Sequence, residues 1–99
     1  MPRRLIVRPL AEADLADATK WYEEERTGLA ARFLSDLDRT LARVQEHPFH
    51  FPAVSDGIHR ALLHTFPYAV YFRPGDDLVM VLAVLHQSRN PKVWRGRTR

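Results

Sequence analysis

The 99 residues, 45% apolar and 27% charged, suffice for one folded domain and are too few for two. There is no cysteine, which excludes a disulfide scaffold, a thiolate zinc site and a thiol nucleophile. The net charge of +3 is uneven: eight Lys/Arg stand against nine Asp/Glu in residues 1–50, and seven against three in residues 51–99. After Asp77 come Arg89, Lys92, Arg95, Arg97 and Arg99 with no acid between them, an excess that suits either a polyanionic partner or a solubilising tail. The start Met-Pro-Arg-Arg lacks the apolar run of a signal peptide, and no stretch is long and apolar enough to span a bilayer. A cytoplasmic protein with no membrane attachment is therefore expected.

Arg4–Arg8 is a short apolar run with charged flanks, stopped by Pro9, and reads as a strand. Ala11, Leu15, Ala18 and Tyr22 recur at helical spacing, with Glu12, Asp14 and Asp17 in the early turns where the helix dipole favours acids. Gly28 is a suitable terminator. Ala30, Phe33, Leu34, Leu37, Leu41 and Val44 form the apolar stripe of a second helix, with Asp36, Asp38, Arg39 and Arg43 on its polar side and Pro48 as its end. So short a link implies an antiparallel helical hairpin.

Phe49–Gly57 reads as a loop. Ile58–His64 then alternates, with Ile58, Arg60, Leu62 and His64 on one face and His59, Ala61 and Leu63 on the other. Pro67–Arg73 is a second strand of this half, and Arg73–Asp77 is a hairpin turn built on Pro74 and Gly75. Leu78–Leu85 is apolar without a break, so both its faces should be covered, as in a central strand. The expected architecture is α+β, in the order β-α-α-β-β-β, with the helical hairpin packed on a mostly antiparallel four-stranded sheet.

His86–Arg89 follows directly on that central strand, and a buried strand holds its last residues rigidly. His86 is a candidate proton carrier and Arg89 a candidate clamp for a phosphate or carboxylate. Asn90-Pro91 breaks the strand, and Trp94 offers a large flat ring. The residues alone leave open a structural alternative, in which His86 and Gln87 end the sheet and Trp94 folds back onto the core. If Arg60 and Arg89 share one concavity, they form a cationic pocket around His86, with Arg73 on the neighbouring strand. His47 and His50 straddle Pro48, which spoils a helical metal pair, so neither metal nor cofactor is expected. No Gly-rich phosphate loop, GxSxG elbow or HExxH helix occurs.

Three stretches in this order resemble the RelE/ParE superfamily, the toxins of type II toxin–antitoxin modules. Trp21-Tyr22-Glu23-Glu24 through Gly28-Leu29 and Phe33 is similar to its helical hairpin, and Phe66–Phe72 to its middle strand. Val84–Pro91 with Trp94 is similar to its last strand and the turn that follows. The resemblance covers nearly the whole chain. It implies a cognate antitoxin, a toxin–antitoxin hetero-oligomer and one of two activities. ParE-like members bind DNA gyrase; here His86, Gln87, Arg89, Asn90 and Trp94 would form the target-binding surface. RelE-like members cleave ribosome-bound mRNA; here His86, Arg89, Arg60 and Arg73 would be the catalytic set. No tyrosine follows Tyr71 and no acid follows Asp77, so the tail lacks two groups that such nucleases use. A non-toxic co-repressor that only binds its antitoxin is a third reading.

Overall fold

The computed structural model describes residues 2–97. Its elements run in the order β1 (Arg4–Val7), α1 (Pro9–Glu25), α2 (Leu29–Glu46), a 3-10 turn (Pro48–His50), β2 (Ala53–Ser55), β3 (Ile58–Leu62), β4 (Tyr68–Pro74), β5 (Leu78–His86) and α3 (Lys92–Arg95). They form a five-stranded sheet of order β1-β5-β4-β3-β2, in which β1 runs parallel to β5 and the other neighbours are antiparallel.

The expected four strands become five because part of the loop at residues 49–57 pairs with β3. Gly57, at φ +72°, turns the chain tightly enough for Ser55 to meet Ile58 and Ala53 to meet His59. Three residues are too few to show the alternation that marks a strand in sequence.

Pro9 opens α1 at a position where its missing N–H costs nothing and its fixed φ suits a helix. The α1–α2 link turns at Gly28, φ +89°, a left-handed conformation that glycine adopts without strain. Glu23 closes the junction: its carboxylate accepts the Gly28 N–H at 3.1 Å and the Ala30 N–H at 3.4 Å, the latter one of the free donors that begin α2.

The hairpin packs Ala11, Ala18, Tyr22, Phe33, Leu37 and Val44 against Ala61, Val70, Phe72, Val79, Val81 and Val84 on one face of the sheet. Tyr22, Phe33, Phe66 and Tyr68 interlock there with ring centroids 4.9–5.9 Å apart. The opposite face carries a smaller cluster of Ile58, Ala69, Tyr71, Leu82, Ala83 and Leu85, covered by Trp94 of α3. Strand β5 is thus central and buried on both sides, as its unbroken apolar run implies.

Asp36 corrects its placement on the polar side of the second helix. The residue is 7% exposed, and its carboxylate accepts the backbone N–H groups of His64 (3.1 Å), Thr65 (2.7 Å) and Phe66 (3.0 Å). It therefore holds the β3–β4 turn against α2. Burial pushes its pKa up, but the three N–H donors and nearby His64 outweigh this, and the net shift is downward.

Candidate functional site

Strand β5 makes an irregular step. From Leu78 to Leu82 its side chains alternate regularly, with Val79 and Val81 toward the helices and Met80 and Leu82 toward α3. The register with β4 then shifts by one: Phe72 pairs with Val81, but Tyr71 pairs with Ala83. Leu82 is the extra residue of a β-bulge, which reverses the facing of everything after it. His86 pairs with Tyr68 and so points to the helix side.

This bulge separates the candidate residues. Arg60 pairs with Tyr71, which contacts Trp94, and Arg73 pairs with Met80, so both arginines lie on the α3 side. Arg60 and Arg89 therefore do not share one concavity, and the cationic pocket that this would have made around His86 does not form. His86 lies instead in a cleft of about 220 Å³ between α1 and the ends of β4 and β5, with Asp14, Asp17, Trp21, Tyr68 and Arg89 among its walls. The Tyr68 and His86 rings meet edge to face, 5.4 Å between centroids. Burial lifts the Tyr68 phenol above its ordinary pKa; Arg89 opposes this, and Asp14 and Asp17 reinforce it. The phenol is therefore an intact hydroxyl at neutral pH. Sequence reading sought a tyrosine only after Tyr71 and missed this one. The signal that points to it is hairpin register, which brings the start of β4 beside the end of β5.

The turn after β5 is held by its own polar groups. The Gln87 N–H donates to the Pro67 carbonyl (2.9 Å), and the Arg89 N–H to the His86 carbonyl (3.0 Å). The Ser88 N–H donates to His86 Nδ1 (3.1 Å), so in this arrangement Nδ1 is an acceptor and Nε2 carries the ring proton. Asn90 Oδ1 accepts the Lys92 N–H (3.0 Å) and starts α3. His86, Gln87, Arg89 and Asn90 are all exposed, and Trp21 beside them is 54% exposed.

Trp94 is not part of that surface. It is 4% exposed and stacked on Tyr71 at 4.9 Å and 14°, with the Arg95 guanidinium 5.3 Å from its ring centre. Its flat ring is consumed in anchoring α3, the structural alternative that the residue types left open.

The basic tail is also partly structural. Strand β1 ends at Val7, leaving the last residues of β5 without a neighbour on that side. Asp14 accepts the Val84 N–H (3.0 Å) there, and Arg97 pairs with both oxygens of the same carboxylate while donating to the Leu82 carbonyl at 3.3 Å. Asp14 and Arg97 thus satisfy the edge where β1 stops. Arg99 lies outside the described residues. Among those described, no helix is long and apolar enough to cross a membrane.

The chain is 29% identical over 92 residues to Toxin ParE2 of Mycobacterium tuberculosis, in strains CDC 1551 / Oshkosh and H37Rv alike, covering 92% of this chain and 88% of that protein. A solved structure, the chromosomal ParDE TA system from P. aeruginosa, contains a chain of the same fold. The TM-score is 0.74 at 18% identity, over 85% of this chain and 95% of that one. A family model described as ParE toxin of type II toxin-antitoxin system, parDE, matches residues 5–91. With the helical hairpin, the sheet and the turn after β5 all inside that match, the chain belongs to the ParE toxin family of type II toxin–antitoxin systems.

Proposed function

We infer that this toxin acts in the cytoplasm by binding DNA gyrase through the surface formed by His86, Gln87, Arg89 and Asn90, and that a cognate antitoxin neutralises it within a hetero-oligomer. The observation that carries the reading is the division of the candidate residues between two faces. His86 and Arg89 stand together in an exposed, rigidly held turn, whereas Arg60 and Arg73 lie behind the sheet. That arrangement suits recognition of a partner surface. It does not assemble the four-residue catalytic set of a ribonuclease.

The RelE-like reading keeps one observation in its favour, because the Tyr68 ring lies beside His86 and a tyrosine, a histidine and an arginine do share the cleft. A general acid–base pair needs such neighbours. One experiment separates the two. Purified protein is added to gyrase with relaxed plasmid, and in parallel to ribosomes translating a defined message. The gyrase reading expects loss of supercoiling and accumulation of broken DNA covalently held by gyrase, with the message intact. Cleaved message with normal supercoiling would replace it with the nuclease reading.

A further inference from the structure

The two tryptophans have opposite fates. Trp94 on α3 is 4% exposed, whereas Trp21 on α1 is 54% exposed. Burying so large a ring is strongly favourable, and a chain that leaves one in solvent forgoes that gain. Leu10, Leu34, Phe49 and Leu62 are also exposed, but of these five only Trp21 lines the cleft that holds His86 and Arg89. Its ring stands edge-on to Tyr22, 5.1 Å between centroids at 82°. Tyr22 is itself buried and locked among Phe33, Phe66 and Tyr68, so the Trp21 ring leans on a fixed support.

The cleft combines an apolar lining with a charged rim. Ala18 and Val84 are buried and the Tyr68 ring is partly so, while Asp17 on α1 and His86 and Arg89 at the end of β5 stand exposed. Asp14 is already committed to Arg97 and to the Val84 N–H. That leaves one acid against one arginine on the rim, so its charge selects neither sign of partner and the apolar wall does the selecting. At about 220 Å³ the cleft falls below the roughly 300–1,000 Å³ usual for a free small molecule, and it suits one side chain of a larger partner. An exposed Trp beside an exposed Arg, at the edge of an apolar pocket, is the composition in which binding energy concentrates at protein interfaces.

We propose that Trp21 is a specificity-determining residue of the toxin, its exposed ring forming the wall of a cleft that receives one apolar side chain of gyrase. The inference rests on the gyrase reading and adds α1 to a target surface otherwise confined to the turn after β5. The test is inhibition of supercoiling by purified protein at equal, verified folded concentration. Trp21→Ala raises the concentration for half-inhibition about tenfold or more, with an unchanged circular dichroism spectrum. Trp21→Gln, whose unbranched stem suits a helix, shows the same loss, and Trp21→Phe, which keeps an aromatic ring, loses less. Leu34→Ala removes an exposed apolar side chain on α2 outside the cleft and leaves inhibition unchanged. Wild-type potency in both Trp21→Ala and Trp21→Gln, in an assay where the His86→Ala/Arg89→Ala double variant is defective, overturns this inference and leaves the gyrase reading standing. Wild-type protein that does not inhibit gyrase overturns that reading and the inference with it. An equal loss in Leu34→Ala would overturn the inference too. So would a wild-type dimer that Trp21→Ala dissolves, because a second copy of this chain would then fill the cleft.

Discussion

Tyr68 and His86 face each other across the β4–β5 pair, on the helix side of the sheet, because one extra residue at Leu82 reverses the facing of the last four residues of β5. Without that bulge His86 would fall on the same side as Met80 and Arg73. The bulge therefore decides which groups can act together: Tyr68, His86 and Arg89 on one side, the arginines of β1, β3 and β4 on the other.

His86 and Arg89 are exposed and make few contacts that support the fold. His86→Ala and Arg89→Ala are expected to change unfolding free energy by no more than about 0.5 kcal/mol, as is usual for surface positions. Their effect on target recognition is larger. Removing a central cationic contact raises the protein concentration for half-inhibition roughly tenfold or more. Urea unfolding alongside dose–response curves checks both halves.

Asp36 behaves in the opposite way. Asp36→Asn leaves backbone donors of the β3–β4 turn without a charged acceptor and is expected to cost about 2–3 kcal/mol, or about 10 °C or more in Tm. The folded-state pKa lies below the unfolded one, so the carboxylate stabilises the fold above its unfolded pKa. That contribution is lost as pH falls through the folded value. The stability gap between wild type and Asp36→Asn should be full at pH 7 and shrink below about pH 4. Unfolding curves at both pH values measure it; a gap independent of pH would contradict the assignment.

Asp14 and Arg97 share one ion pair, but their removal is not equivalent. Asp14→Ala also orphans the Val84 N–H at the edge of β5, whereas Arg97→Ala leaves that bond in place. Asp14→Ala should therefore be the more destabilising of the two by about 1 kcal/mol, and a double-mutant cycle should return a coupling of about 1 kcal/mol. Equal single-variant losses would mean that the Val84 bond contributes no more than Arg97's own bond to the Leu82 carbonyl.

Trp94→Ala removes the ring that holds α3 on Tyr71. A cost of about 3 kcal/mol is expected from the cavity, together with faster tryptic cleavage after Arg95 and Arg97. Limited proteolysis followed by mass spectrometry reads the release of α3 directly.

Much of the fold was legible in the sequence. Helical spacing in residues 11–44 marked both helices, and alternation marked β3. The apolar run Leu78–Leu85 marked a strand covered on both sides. That same run concealed the bulge. When every residue of a strand is apolar, nothing in the pattern shows which side each one faces, so a one-residue slip at Leu82 leaves no trace. The resemblance groups His86 with Arg60 and Arg73 as one catalytic set, and nothing in the apolar run shows that the bulge puts them on opposite faces. The roles of Asp36 and Trp94 were hidden differently. An aspartate on a helix and a tryptophan in a basic tail have ordinary exposed readings. Only tertiary contact, with the turn at residues 64–66 and with Tyr71, takes them out of solvent.

The most direct test of the account is supercoiling by purified gyrase, with wild-type protein compared against the His86→Ala/Arg89→Ala double variant at equal, verified folded concentration. The account predicts that wild type abolishes supercoiling and traps cleaved DNA on gyrase, while the double variant does so only at far higher concentration. Undisturbed supercoiling by the wild-type protein, or equal inhibition by the double variant, would contradict it.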